Sequence, residues 1–186
     1  MTTLIRLFVF VAVLLIAETS FALNTATLPL DIKPGGFYYT QVTMQYEKGR
    51  HLTTNYRRGT LIPVNTQVRL EEITDDDIMM QILPDLTKLR VENVEKHTGD
   101  TTARAFAKLF NKNRIDLSRF SKLEQEGIQA GRVVNGMSKQ AVITAIGYPP
   151  ITQTPTLQGN RWTYWSSRFN RFVVEFLNDR VARIQE

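Results

Sequence analysis

Short runs of β-prone residues alternate with turn-forming residues from Phe37 to Val94. The runs are FYYTQVTMQY (37–46), HLTTNY (51–56), GTLIPV (59–64), TQVRLEEI (66–73), DIMMQIL (77–83) and KLRVENV (88–94). Glycine, asparagine, aspartate and proline lie between them, which is the chemistry of turns. Strands of this length and spacing predict a small antiparallel barrel or curled sheet over residues 37–97, and the strand lengths favour an SH3-like barrel.

A helical connector is predicted over residues 98–128. Apolar residues recur there at helical spacing behind Asp100, which we expect to cap the helix. They are Ala103, Phe106, Leu109 and Phe110. A second short helix is predicted to begin at Ser121, because Glu124 follows three residues later and completes a capping box.

The last part of the chain has the clearest pattern. Ser138 is the expected N-cap of a helix that buries Val142 and Ile146, and Gly147 is expected to end it in the left-handed conformation. Three strands follow, NRWTYWSSRF, RFVVEFLN and RVARIQ. The first two join at about 167–170 and the last two at Asn178-Asp179, so the pattern predicts a three-stranded antiparallel meander with one face on the helix. The predicted fold class is therefore α+β.

The chain opens with the features of a secretion signal. Arg6 precedes an apolar run and Ser20-Phe21-Ala22, which predicts a signal peptide over residues 1–22 that is removed after Ala22. The run spans roughly 16 Å as a helix, against about 30 Å of bilayer hydrocarbon, so a retained anchor is the weaker alternative. Residues 23–36 are expected to form an extended tether. The predicted signal peptide leads us to expect a periplasmic protein. Because the chain has no cysteine, we expect no lipid on an N-terminal cysteine.

The net charge of the chain indicates which classes of binding partner are compatible with it. The formal net charge is +5, and removing Arg6 with Glu18 leaves it unchanged. A moderately basic exported protein is more compatible with anionic lipid headgroups or an acidic protein surface than with nucleic acid. An ordinary solvated surface is the remaining alternative.

The segment from 129 to 186 resembles the SmpA/OmlA (BamE-like) family of outer-membrane assembly proteins. The matching positions are Gly136, Met137, Ser138, Val142, Ile146, Gly147, Pro149, Trp162, Tyr164, Val174, Phe176 and Val181. The resemblance implies a non-enzymatic accessory that binds an envelope or outer-membrane assembly protein and also anionic phospholipid, at the periphery of the outer membrane. It does not cover the β-rich segment, and the lipidated cysteine typical of that family is missing. The same small fold also resembles protein-inhibitor modules, so an inhibitor of a secreted enzyme is an alternative.

Enzymatic chemistry has few candidate residues. His51 and His97 are the only histidines and neither lies in a catalytic or metal-binding motif, so both are expected to be solvated or core residues. The Asp75-Asp76-Asp77 cluster lacks the glycine and ligand spacing of a calcium loop and predicts a hairpin turn. We therefore expect no enzyme activity, cofactor, metal or small-molecule substrate.

Two groups of side chains are candidate binding sites. Trp165, Arg168, Phe169 and Arg171 lie near a predicted hairpin tip, where exposed tryptophan and arginine would favour a partner. The alternative is that the β-rich segment covers Trp165. Tyr56, Arg57 and Arg58 are candidates for an anionic ligand such as cell-wall polymer or lipid headgroups, although arginines on a β-edge also prevent aggregation.

Overall fold

A computed structural model describes residues 32–186. The predicted signal peptide and residues 23–31 of the predicted tether lie outside this range. Residues 32–36 are part of the packed structure: Ile32 is buried, and the Gly35 N–H donates to the Leu70 carbonyl at 2.7 Å. In return, the Leu70 N–H donates to the Gly36 carbonyl at 2.9 Å. This end of the predicted tether therefore extends the sheet.

The first half of the described chain forms a curled sheet. Its strands are β1 (Phe37–Thr40), β2 (Met44–Tyr46), β3 (Arg50–Leu52), β4 (Thr60–Ile62), β5 (Gln67–Ile73), β6 (Asp77–Ile82), β7 (Thr87–Glu92) and β8 (Phe110–Asn111). Six strands lie in the order β3-β7-β6-β5-β1-β8, while β2 pairs with β4. The mixed α+β class and the curled sheet are confirmed. The expectation of a purely antiparallel arrangement is wrong, because β3 and β7 run parallel.

Alternation along the central strands explains why this sheet has one buried face. Val68 and Leu70 of β5 are fully buried, as are Ile78 and Met80 of β6. Their neighbours Arg69 and Glu71 are exposed. The Asp75–Asp77 turn joins β5 to β6, and Asp77 pairs with Arg90 on β7 at 2.8 Å. Successive side chains of a strand point to opposite faces, so the apolar positions form one side of the core.

Four helices follow, α1 (Glu95–Thr98), α2 (Thr102–Leu109), α3 (Lys122–Gln129) and α4 (Lys139–Ile146). The N-cap of α2 is Thr101, which accepts from the Arg104 N–H, so the prediction of Asp100 as its cap is wrong. Asp100 instead forms an ion pair with Lys108 in the last turn of α2. The capping box of α3 is confirmed: Ser121 accepts from the Glu124 N–H, and Glu124 accepts from the Ser121 N–H.

Helix α4 begins as predicted and ends differently. Ser138 accepts from the Ala141 N–H and caps the helix. Gly147 has φ 78° but ψ −169°, so it is extended with positive φ rather than left-handed helical. A Cβ atom there would lie 2.8 Å from the Asn55 side chain, which explains why glycine is required. The Asn55 amide donates to the carbonyls of Ile146 and Tyr148, on either side of Gly147.

The chain ends in a three-stranded antiparallel sheet of order β11-β10-β9, formed by β9 (Arg161–Trp165), β10 (Arg171–Leu177) and β11 (Arg180–Gln185). This meander is confirmed, with Trp162 opposite Val174 and Phe172 opposite Tyr164. Its inner side chains join the helices and the first sheet in one hydrophobic core. That core includes Met44, Leu70, Ile128, Ala145, Trp162 and Phe176. The N-terminal sheet and the C-terminal segment therefore share a core.

Candidate functional site

The two predicted binding groups lie beside one another. The Tyr56 and Trp165 rings stack with centroids 5.9 Å apart and 18° between their planes. His97 contacts the same indole at 5.3 Å, and the Arg171 guanidinium lies 5.1 Å from its centroid. The indole Nε1 is fully enclosed and has no hydrogen-bond partner. The outward-facing placement of Trp165 is therefore wrong, and the β-rich segment covers it.

The β9–β10 hairpin tip presents the rest of the predicted partner site. Phe169 is 86% exposed, the largest exposure of the large apolar side chains that the structure describes. The Arg168 guanidinium lies 5.7 Å from the Phe169 ring, and Arg171 donates to the Gln153 side chain at 3.3 Å. The Ser167 hydroxyl accepts from the N–H groups of Phe169 and Asn170 and holds the turn in shape. Within residues 32–186, neither Arg168 nor Arg171 has a carboxylate partner.

A cleft of about 390 Å³ lies next to this tip. Its lining consists of Gln45, Glu47, Arg50, Leu52, Tyr56, Arg58 and Arg168. Two of its arginines are paired, Arg58 with Glu47 at 2.8 Å and Arg50 with Glu92 at 3.2 Å. Both pairs are partly solvent-exposed, so each contributes little to stability and leaves the guanidinium able to exchange partners. The cleft thus carries guanidinium groups from both halves of the chain, and Arg168 is the one of these arginines without a carboxylate partner among the described residues.

Glycine at position 59 sets the course of the chain through Arg58. Gly59 has φ +95°, and a Cβ atom there would lie 2.2 Å from the Tyr46 carbonyl oxygen. Only glycine allows β4 to begin this close to β2. This close approach places Arg58 next to Glu47 at the rim of the cleft.

Arg57 has a different position from the one predicted. Its guanidinium donates to the Gly131 carbonyl at 3.0 Å, the Ile146 carbonyl at 3.3 Å and the Thr43 carbonyl at 3.4 Å. The Ile146 and Gly131 carbonyls lie at the C-terminal ends of α4 and α3, where helix dipoles favour a cation. Burial lowers the pKa of Arg57 to about 10, so it stays charged at neutral pH. The side chain is therefore engaged by backbone carbonyls inside the protein and does not line the cleft that Tyr56 and Arg58 border.

The histidines occupy contrasting environments. His51 is 3% exposed and its Nδ1 lies 2.7 Å from the Gln45 carbonyl oxygen. Burial, assisted by the charge of Arg57, lowers the pKa of His51 to about 4 although the hydrogen bond to Gln45 opposes this. His51 is thus a neutral core residue, one of the two roles expected for it. His97 is half-buried, with Nδ1 3.0 Å from the Thr152 hydroxyl, and desolvation together with Lys96 lowers its pKa.

Other features were not predicted from the sequence. Asn55 and His97 connect the sheet to the C-terminal segment, and their partners Ile146 and Trp165 lie far along the chain. No local signal could have found these contacts, because they depend on how the two halves pack. The turn at Gly59 did have a local signal in the sequence, because Arg58-Gly59 is a turn-forming pair next to another arginine.

Within residues 32–186 no group of three or more His, Asp or Glu side chains is placed to hold a metal ion. Across the same range, none of the helices combines the length and apolar character needed to span a bilayer. Comparison with protein-family models, curated proteins and solved structures found no match for this chain. The resemblance to the SmpA/OmlA family therefore stays a prediction from the sequence.

Proposed function

We propose that this chain is a non-enzymatic binding module of a bacterial cell envelope that contacts an acidic surface of an envelope or outer-membrane assembly protein. The contact surface, termed here the hairpin surface, consists of Arg168, Phe169 and Arg171 with Arg58. The single observation that carries the proposal is Phe169, 86% exposed between two arginines that lack carboxylate partners within the described residues.

Physical reasons favour a protein partner for this surface. An exposed phenylalanine on a rigid turn loses little conformational entropy when it enters a pocket, and aromatic and arginine side chains dominate binding hot spots. Unpaired guanidinium groups can pair bidentately with carboxylates on a partner. The stacked Tyr56 and Trp165 rings hold the hairpin against the N-terminal sheet, so the hairpin surface is preorganised.

The finer fold assignments belong to the same proposal. A capped helix followed by a three-stranded meander is the order of elements in the BamE-like family, which supports assigning residues 129–186 to such a module. The curled arrangement of short strands supports an SH3-like barrel for the N-terminal sheet. We further propose a periplasmic location at the periphery of the outer membrane after removal of residues 1–22. Cell fractionation combined with N-terminal sequencing of the mature protein tests the location and the cleavage together.

The binding proposal is tested by site-specific photocrosslinking in living cells. A photoreactive phenylalanine analogue replaces Phe169, and in a control chain it replaces Leu177, which is 66% exposed at the opposite end of β10. We expect a crosslink to an outer-membrane assembly protein from position 169 and none from position 177. The crosslink should disappear when Arg168→Glu and Arg171→Glu are added. Equal crosslinking from both positions, or none from position 169, would contradict the proposal.

A second candidate function is binding of an anionic polymer or lipid in the cleft beside the hairpin. The observation in its favour is the convergence of Arg50, Arg58 and Arg168 around Tyr56. Co-sedimentation of the full mature chain with peptidoglycan, and separately with vesicles containing phosphatidylglycerol, tests it. Binding at low salt that is lost in Arg58→Glu and retained in Phe169→Ser would assign the cleft to the anion. Absence of binding at low salt would remove this candidate, because exposed charges attract most strongly there.

A further inference from the structure

A second cavity, of about 230 Å³, lies away from the hairpin surface where the N-terminal sheet meets the C-terminal segment. Helices α1 and α2 form one side and the α4–β9 loop forms the other. Apolar groups of Val42, Ala105, Leu109, Pro149, Ile151 and Leu157 line most of it. Ile151 is 41% exposed whereas Val42 and Ala105 are buried, so the cavity runs from an open mouth at the loop to a closed floor. Ligand sites commonly occupy such junctions.

Most polar side chains around the cavity are already engaged. Asn55 donates to two carbonyls of the α4 C-terminal region, and Thr53 exchanges hydrogen bonds with Asn93 and the Val94 N–H. Asp100 is paired with Lys108, and Thr154 bonds to β9. These side chains form part of the cavity wall, and their polar atoms already have partners within the protein. The positive and negative charges of Lys108 and Asp100 also cancel at the mouth.

Some lining side chains keep an unused polar atom. The hydroxyl of the half-buried Tyr148 has no hydrogen bond among the described residues, and His51 on the floor is the more buried of the two. Its Nδ1 faces the Gln45 carbonyl at 2.7 Å, and a carbonyl oxygen only accepts, so Nδ1 carries the proton. Nε2 is then an acceptor, and it has no hydrogen-bond partner among the described residues. The fully enclosed side-chain atoms without a partner are Gln45 Oε1, Trp162 Nε1 and Trp165 Nε1, so Nε2 of His51 keeps some accessible surface. The ring is 3% exposed and lines the cavity, so Nε2 is an unused acceptor in a mainly apolar space.

We propose that this cavity binds a small, uncharged, mainly apolar molecule that donates one hydrogen bond to His51 Nε2. The lone pair of Nε2 repels anions, and no unpaired carboxylate lines the cavity to hold a cation. An apolar cavity of about 150 Å³ accommodates benzene, so this one has room for about nine non-hydrogen atoms. An aromatic ring system bearing a single N–H or O–H fits both the volume and the acceptor.

The cavity is connected to the hairpin surface through one side chain. His97 lines the mouth and also contacts the Trp165 ring at 5.3 Å. A ligand that shifts His97 would therefore also change the packing around Trp165, which holds the hairpin in place. Binding in the cavity does not depend on the proposed function, since the two sites share none of their contact residues.

The ligand pair indole and indene tests the proposal without any change to the protein. The two molecules have nearly the same shape, but only indole has an N–H donor. Isothermal titration calorimetry of the full mature chain should show indole binding about five- to tenfold more tightly than indene, the effect of one hydrogen bond in an apolar site. In NMR spectra, the His51 Nε2 resonance should shift with indole and not with indene.

Two variants locate the site. His51→Asn keeps a donor for the Gln45 carbonyl but removes Nε2, so indole and indene should bind it equally. Leu157→Trp places a large ring at the partly exposed mouth and should abolish binding of both, while Leu86→Trp, in an exposed turn outside the cavity lining, should change neither. Equal affinities for indole and indene in the unaltered protein would overturn the role of His51. Binding that survives Leu157→Trp, or no indole binding at all, would overturn the site.

Discussion

The Tyr56 ring stacks on Trp165 across the boundary between the N-terminal sheet and the β9–β10 hairpin, with centroids 5.9 Å apart. Stacked aromatic pairs contribute about 0.5–1.5 kcal/mol beyond the area they bury. His97 and Arg171 contact the same ring, and the Trp165 indole nitrogen is enclosed, whereas Phe169 lies in solvent. The hairpin thus has one aromatic residue packed against the protein and one available to a partner.

Replacing Tyr56 with alanine is expected to uncover Trp165 and to loosen the hairpin. Tryptophan emission should shift to longer wavelength because water reaches the indole, whereas Trp162 stays in the core at 1% exposure. Fluorescence spectra of Tyr56→Ala, measured with and without Trp165→Phe, check the source of the shift. A red shift that persists in the double variant would mean that Trp162, not Trp165, had changed environment.

Arg57 and Arg58 are adjacent but should differ sharply in their effect on stability. Arg57→Met removes the donor to the Gly131 and Thr43 carbonyls and one of the two donors to the Ile146 carbonyl, so we expect a loss of about 2–4 kcal/mol in the free energy of unfolding. Arg58 forms only an exposed ion pair with Glu47, so Arg58→Met should change stability by less than about 1 kcal/mol. Urea unfolding of both variants measures the difference. Arg57→Lys should recover only part of the lost stability, because an ammonium group cannot reach the same set of acceptors. Similar losses of stability at positions 57 and 58 would refute the interior role of Arg57.

Protonation of His51 should destabilise the fold in mild acid. Its folded pKa of about 4 lies below the unfolded value near 6.5, so the native state prefers the neutral ring. The contribution is fully present above pH 6.5 and is lost as the pH falls from 6.5 towards 4, on the order of 3 kcal/mol. Urea unfolding between pH 7 and 4 should show this slope, and His51→Asn should lack it. His97→Asn serves as the matched control and should retain most of the slope, since that ring is only half-buried.

A second loss of stability is expected at lower pH from Glu124. Burial alone would raise its pKa, but N–H and hydroxyl donors of Ser138 and Ser121 outweigh burial and lower the pKa to about 2. The stabilisation is therefore complete above about pH 4.5 and is lost as the pH falls from 4.5 to 2. Glu124→Gln should lower the unfolding free energy at pH 7 by about 1–3 kcal/mol and remove this phase. A phase that remains in the variant would have to arise from other carboxylates.

Local chemistry explains which parts of the fold were predictable. Ser121 with Glu124, and Ser138 with its helix, act over three residues, so their capping roles follow from the sequence alone. The C-terminal meander was predictable for a similar reason, since its strands are consecutive and joined by short turns.

Contacts between distant segments could not be predicted in this way. The parallel pairing of β3 with β7 joins strands separated by three others in sequence, and no pattern within β3 distinguishes it from an antiparallel strand. Arg57 looks in sequence like its neighbour Arg58, and only the positions of α3 and α4 make it an interior residue. The cover over Trp165 depends in the same way on Tyr56 and His97.

The amide of Asn55 reaches the last carbonyls of α4, 91 positions further along the chain. Until α3 and α4 have formed, the β3–β4 connection that carries Asn55 and Arg57 lacks the acceptors that those helices supply to both side chains, and part of the apolar face of the sheet stays uncovered. The N-terminal half consequently gains little by folding early, and long-range closures of this kind slow folding. We therefore expect the molecule to unfold in a single calorimetric transition, with no separate melting of a sheet domain and a C-terminal domain.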